Sequence, residues 1–241
     1  MTLELVAISK YFRGVAALRD ISASFEAGVT AILGGNGAGK STLLDVICGI
    51  IAPSRGVLRW RGGELPNASV AHRARAGIVR LFQEPQLSGS QRPEVNVLIA
   101  ARPRSTDGLV TAARRWSAAD KQRRGAARSL LDEFGFGANI ERTTSELSGG
   151  FRRLLSFACC IAQRPDVLLL DEPLAGLGSA RRADVLQHID RERQRGVTVL
   201  LVEHDLNAVR AIADRAVVLS GGVKIADGSV TEAIARLEAT D

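Results

Sequence analysis

The sequence predicts an α/β layer fold with a largely parallel sheet, and three observations carry that prediction. Short apolar runs with strand character alternate with helical stretches along much of the chain. Two of those runs end in chemistry: Val29–Leu33 in a glycine cluster, Val167–Leu170 in two adjacent carboxylates. Between them, after Pro85, lies a stretch of helical character without strands, which reads as an insertion into the α/β unit.

Taken in order, Leu3, Leu5 and Ala7, then Ile21, Ala23 and Phe25, alternate as in short half-buried strands. Val29–Leu33 is a buried strand, and Ser41–Ile51 a helix stopped by Pro53. Gly56–Arg61 reads as a strand with Gly62-Gly63 as its turn, and Ile78–Phe82 as another buried strand. Val95–Ala100, Ala118–Phe134 and Phe151–Ile161 read as helices. Strands resume at Val167–Leu170 and Val197–Val202. Ala216–Leu219 and Val223–Ala226 flank Ser220-Gly221-Gly222 as a hairpin.

A chain of 241 residues suffices for one sizeable domain, or for a domain with a subdomain. Aromatics are only 4% against 46% hydrophobic residues, so the core must be built from Leu, Val, Ile and Ala. The net charge of +6 is concentrated. Between residues 102 and 128, eight basic residues (Arg102, Arg104, Arg114, Arg115, Lys121, Arg123, Arg124, Arg128) face two acids, Asp107 and Asp120, a difference equal to the whole net charge. A solvated helical face explains this, and so does a surface near anionic lipid headgroups. Cys48, Cys159 and Cys160 sit in apolar runs without CxxC spacing, as expected of buried thiols in a reducing compartment. His72 and His188 fall among polar residues and receive no role. No basic-then-apolar leader opens the chain, and no apolar run reaches about 18 residues, so neither a signal peptide nor a membrane span is expected.

The strongest motif is Gly34-Gly35-Asn36-Gly37-Ala38-Gly39-Lys40-Ser41, a full G-x-x-x-x-G-K-[ST] phosphate loop between a strand and a helix. Glycines let backbone N–H groups turn toward phosphates, and the helix start adds its positive dipole end. Lys40 supplies a point charge for the β and γ phosphates. The Ser41 hydroxyl, with Thr42 beside it, supplies oxygen to Mg²⁺. The second motif is Val167–Leu170 followed by Asp171-Glu172, a buried strand whose carboxyl end presents two acids where α/β sheets bind ligands. There Asp171 suits Mg²⁺ and Glu172 suits the attacking water. The third is Leu147-Ser148-Gly149-Gly150, a second anion-binding helix start ahead of Phe151.

In this order the three motifs resemble the nucleotide-binding domains of ABC ATPases, over essentially the whole chain. The resemblance implies a P-loop NTPase core, RecA-like, with a mostly parallel sheet, an antiparallel β subdomain and an inserted α-helical subdomain. Residues 1–83 and 164–241 then form the catalytic core, and 84–163 the helical subdomain with the signature motif. It implies ATP and Mg²⁺ as cofactors and ATP hydrolysis as the activity. Phe12 matches the adenine-stacking aromatic, although Tyr11 beside it is an alternative. Gln83 matches the glutamine that senses Mg²⁺ and the γ-phosphate, and His204 the histidine that contacts the γ-phosphate. Gly34 to Thr42 would hold the phosphates of one nucleotide, and Ser148, Gly149 and Gly150 of a second subunit would cover it. Two departures stand out. The signature ends in Phe151 where the family usually has Gln, which the backbone and Ser148 should tolerate. Gly178 stands where an aspartate follows Pro173, which weakens the case for communication between paired sites but not for ATP binding.

Arg80-Leu81-Phe82-Gln83, Glu172-Pro173-Leu174-Ala175-Gly176-Leu177 and Glu203-His204-Asp205-Leu206 resemble strings of branched-chain amino acid importer ATPases. Lipopolysaccharide-exporting and urea-transporting subunits share parts of them. The partners implied are a second ATP-binding subunit (a copy or a relative) and membrane-spanning permease subunits. These would hold the chain peripherally at the cytoplasmic face of the cell membrane. The permease would dock between the Gln83 loop and the helix at Val95–Ala101. A nucleic-acid machine of this family usually has two ATPase domains or a long coiled coil, and neither is present. A GTPase would carry Asn-Lys-x-Asp, also absent.

Overall fold

The structure, a computed structural model, describes residues 2–66, 69–82, 86–101 and 116–240, with backbone only at 116–120. Gln83 and the basic residues Arg102, Arg104, Arg114 and Arg115 therefore lie outside the described residues.

Two sheets form the frame. The first is antiparallel with strand order β2-β1-β4-β5, from β1 (Leu3–Phe12), β2 (Val15–Phe25), β4 (Arg55–Trp60) and β5 (Gly63–Leu65). The second has six strands in the order β10-β9-β3-β8-β7-β6. Its members are β3 (Gly28–Leu33), β6 (Ile78–Leu81), β7 (Val167–Asp171), β8 (Thr198–Val202), β9 (Arg215–Ser220) and β10 (Val223–Gly228). Neighbours in it run parallel except for the β9–β10 hairpin at one edge.

The parallel strands are buried on both faces, so successive residues serve opposite cores. Val167, Leu169, Leu200 and Val202 face α1 (Lys40–Cys48) and the antiparallel sheet, where Leu5, Ile8, Leu43 and Ile47 meet them. Leu168, Leu170, Val199 and Leu201 face the opposite way, toward α5 (Gly149–Ala162) and α6 (Ser179–Gln194) through Leu154, Phe157, Val185 and Ile189. Continuous apolar runs such as Val167–Leu170 are the sequence consequence of that double burial. Between β6 and β7 the described elements are α3 (Pro93–Ala100), α4 (Trp116–Glu133), two 3₁₀ turns and α5, with no strand among them. No helix among the described residues is long and apolar enough to cross a membrane.

The structure departs from the sequence reading at two element ends and in four additional helices. The first helix ends at Cys48, well before Pro53, because Gly49 takes a left-handed conformation (φ 80°). Its N–H and that of Ile50 close the helix on the carbonyls of Val46 and Asp45. The turn after β4 is Arg61-Gly62, both at positive φ, while Gly63 already pairs with Trp60 in a fifth strand too short for an alternation signal. Four helices escaped the sequence reading: α2 (Val70–Arg75), α6, α7 (Leu206–Ile212) and α8 (Val230–Glu238). In α6 the buried stripe is Val185, His188, Ile189 and Glu192, so two of its four inward positions are polar and the hydrophobic period is masked. His188, passed over as one of a polar stretch, is buried and stacks on Phe134 with ring centroids 3.7 Å apart.

Candidate active site

The carboxyl ends of β3, β8 and β7 lie side by side, with Ile32 paired to Val202 and Val202 to Asp171. The residues that follow each strand therefore converge: the loop 34–39 after β3, Glu172 after β7, Glu203 and His204 after β8. Strand order alone assembles groups that are about 130 and 30 residues apart in the chain.

The loop is built tightly against its neighbours. A Cβ on Gly34 would lie 2.2 Å from the Leu219 carbonyl oxygen, and one on Gly39 would lie 2.7 Å from that of Ala17. Gly39 caps α1 in the left-handed region with no side-chain capping bond, so the first turn of α1 keeps its N–H groups for a ligand. Lys40 opens that helix and is buried to 7% exposure. Its Nζ donates to the carbonyls of Gly34 at 2.7 Å and Gly35 at 2.9 Å. Burial pushes the Lys40 pKa down, and the fields of Glu172 and Asp171 oppose that shift. Asn36, Gly37 and Ser41 are exposed at the mouth, Thr42 is half-buried, and Ala38 is buried beneath.

Asp171 is 2% exposed. One oxygen accepts from Arg80 Nη2 at 2.9 Å, and Arg80 also pairs with Asp45 on α1. The other, Oδ1, has no hydrogen-bond partner among the described residues. A buried carboxylate oxygen left open beside a hydroxyl-bearing helix start fits a cation held through its water shell. The described residues contain no cluster of three His, Cys, Asp or Glu side chains suited to a metal. Mg²⁺ is usually held by one or two side chains plus substrate phosphates rather than by a protein cage.

Glu172 follows in the left-handed region at φ 49°, unusual for a non-glycine residue. Its backbone N–H donates to the Val202 carbonyl, and its Oε1 lies 3.2 Å from His204 Nε2. Both side chains are partly open to solvent, at 34% and 51% exposure, so a water can reach them. Glu203, which the sequence reading used only as part of a string, is buried and joins the two strand ends. Its carboxylate accepts from the Leu174 N–H at 3.0 Å and the His204 N–H at 3.2 Å. Arg80 was likewise read only as part of a string; nothing local in the sequence marks it as the partner of Asp171.

The structure thus brings together Gly34–Thr42, Asp171, Glu172 and His204. Phe12 and Tyr11 end β1, both exposed, with Lys10 Nζ 5.2 Å from the Phe12 ring centroid. Their hairpin continues into Ala17, which touches Gly39, so an aromatic lies near the loop without a choice between the two. Ser148 is the N-cap of α5 and accepts from the Phe151 N–H at 3.4 Å. No hydrogen bond among the described residues joins Ser148, Gly149 or Gly150 to the loop 34–42.

The family model described as "ABC transporter" matches residues 18–175, more than half of the chain. The chain belongs to the ABC transporter family. Among relatives of this ABC ATPase, the high-affinity branched-chain amino acid transport ATP-binding protein BraF of Pseudomonas aeruginosa is 32% identical over 232 residues. The match covers 94% of this chain and 91% of BraF. The probable branched-chain amino acid transport ATP-binding protein LivG of Methanocaldococcus jannaschii is 31% identical, covering 94% of this chain and 89% of LivG. The solved ADP conformation of MJ1267, an ATP-binding cassette of an ABC transporter, superposes with a TM-score of 0.82 at 30% identity. That superposition covers 99% of this chain and 95% of MJ1267.

Proposed function

We propose that this ABC ATPase binds Mg²⁺-ATP on residues 34–42 and hydrolyses it to drive import of branched-chain amino acids or related small solutes. The observation that carries the chemistry is the Glu172–His204 pair, 3.2 Å apart at the ends of adjacent strands beside a buried Lys40. The cargo class rests on similarity to BraF and LivG, whose names state branched-chain amino acid transport. No observation favours the exporter alternative.

In this reading the α1 N–H groups and Lys40 Nζ grip the β and γ phosphates, the lysine exchanging its loop carbonyls for phosphate oxygens. Ser41, Asp171 and Gln83 would hold Mg²⁺, which when bound would offset phosphate charge. Glu172 accepts a proton from, or orients, the water that attacks the γ-phosphorus, and His204 orients the same region. Phe12, or Tyr11 beside it, stacks on adenine. Ser148, Gly149 and Gly150 of a second subunit cover the nucleotide, so ATP joins two subunits and its cleavage releases them. Residues 84–163 act as a helical subdomain that meets permease subunits, placing this chain peripherally at the cytoplasmic membrane face.

Glu172→Gln tests the reading. The amide keeps the shape and loses the base, so nucleotide binding should persist and a nucleotide-held dimer accumulate. Turnover should fall by about 10²–10⁴-fold, the range usual for a lost general base. Steady-state hydrolysis and size-exclusion chromatography with ATP read both, and unchanged turnover removes Glu172 from its role.

A further inference from the structure

The base, the signature motif and the helix after Gly178 are joined within one chain by contacts that the roles above do not use. Arg153, on the second turn of α5, donates from its guanidinium to the backbone carbonyl of Glu172. Its Nε is buried and finds no partner among the described residues. Its neighbour Arg152 is exposed. Glu172 is the residue held at φ 49°, where a side chain costs energy and persists only if its surroundings fix it. Three fixings are visible: its N–H on the Val202 carbonyl, and its C=O shared between the Ala175 N–H at 3.2 Å and the Arg153 guanidinium, the one side-chain partner of the three.

The first turn of α5 is clamped to the same segment. A Cβ on Gly150 would sit 2.8 Å from Arg181 Nη1 and 3.6 Å from Leu177 Cδ2, so the helix start lies directly against these two side chains. Phe151 lies beneath the Arg181 guanidinium at 4.0 Å and against Phe136 at 5.3 Å. Residues 150 and 153 share one helix face at i, i+3 spacing, and that face meets the segment that begins at Glu172. The phenylalanine in place of the usual glutamine thus has a local reason: it is one half of a clasp with Arg181.

We propose that Arg153 is a positioning residue for Glu172. Beside the backbone bonds to Ala175 and Val202, it adds the side-chain anchor that ties the left-handed Glu172 to the helix that Ser148 caps. Resting on the paired-site reading above, this means that the helix covering one nucleotide sets the base that acts on the other. Contact between the two sites runs through Arg153, Gly150 and the Phe151–Arg181 clasp, and does not need the side chain that Gly178 lacks.

The test compares Arg153→Met, which keeps the stem and removes the donors, with Arg153→Lys, which restores one donor. Four quantities are read on the full chain: thermal unfolding, Mg²⁺-nucleotide binding by a fluorescent ATP analogue, kcat with KM, and ATP-driven dimerisation in a Glu172→Gln background. For Arg153→Met the expected result is at least a tenfold loss in kcat with KM, nucleotide binding and dimerisation each within twofold, and an unfolding midpoint near wild type. Arg153→Lys should recover kcat to within about threefold of wild type. Wild-type kcat in Arg153→Met overturns the proposal. So does a kcat loss that comes with equal losses in dimerisation and unfolding midpoint, because that marks a packing role alone. The underlying reading is judged separately, by nucleotide binding at Lys40, which neither substitution touches.

Discussion

Lys40 is the residue on which the phosphate reading turns. In the described structure its ammonium group is buried and held by two carbonyls of its own loop, with Asp171 and Glu172 supplying a negative field that partly offsets desolvation. A phosphate oxygen is a stronger acceptor than either carbonyl, so a triphosphate should draw Nζ away from Gly34 and Gly35. Hydrogen bonds to charged groups contribute about 1.5–3 kcal/mol. Lys40→Ala should therefore weaken nucleotide binding by roughly 10- to 100-fold, measured by titration with a fluorescent ATP analogue. Wild-type affinity in that variant would remove the loop from its role. Cys159 and Cys160 illustrate the reverse case, in which burial alone decides: desolvation pushes Cys159 up to about 12 and Cys160 further, so both thiols stay protonated and inert near neutral pH.

At the scale of elements, the junction of α4 with α6 carries a second buried titratable group. His188 of α6 stacks on Phe134, lies edge-on to Phe157 at 6.5 Å, and hydrogen-bonds the Glu133 carbonyl. Its pKa is lowered, first by burial and then by Arg191, with Glu133 and Asp184 pulling the other way. The folded state thus resists protonating a side chain that the unfolded chain protonates near pH 6.5. Stability from a neutral His188 is complete above that value. It falls as pH drops below it, by at most about 1.4 kcal/mol per pH unit. Glutamine keeps the polar shape without the proton. The unfolding midpoint of wild type should therefore exceed that of His188→Gln at pH 7.5 by more than it does at pH 5.5. A gap that is constant with pH would show that His188 does not titrate on unfolding.

For the whole molecule, the question is where force leaves the chain. Apart from the two sheets, the described elements between β6 and β7 are helical and pack on the core through Val97, Leu131, Phe134 and Phe157. Lys121, Arg123, Arg124 and Arg128 of α4 all face solvent, and Arg128 pairs with Glu94 of α3 at 3.0 Å. On α3, Ile99 is 45% exposed, a large apolar side chain left uncovered on the helix after the Gln83 loop. The proposed docking groove for a permease lies along this helix. Cysteines placed one at a time on the exposed positions of α3 should crosslink to a co-purified membrane subunit, while positions on the exposed face of α8 should not. Crosslinks confined to α8 would move the interface.

Much of the site was legible in the sequence because its chemistry sits on short contiguous strings. The phosphate loop, the Asp171-Glu172 pair and His204 each follow a run of apolar residues, and a parallel strand buried on both faces must be written that way. The α6 helix was not legible, because His188 and Glu192 occupy inward positions where periodicity expects apolar residues. Nor were the partners of the site residues. Arg80 on Asp171, Glu203 on Leu174, and Arg153 on Glu172 are contacts between segments 19 to 91 residues apart. The sequence by itself marked the groups proposed to meet the nucleotide, since backbone conformation and strand ends are local matters. Only the tertiary structure decided what holds those groups in place, since hydrogen-bond partners across a fold depend on strand order and helix packing, which no local pattern encodes.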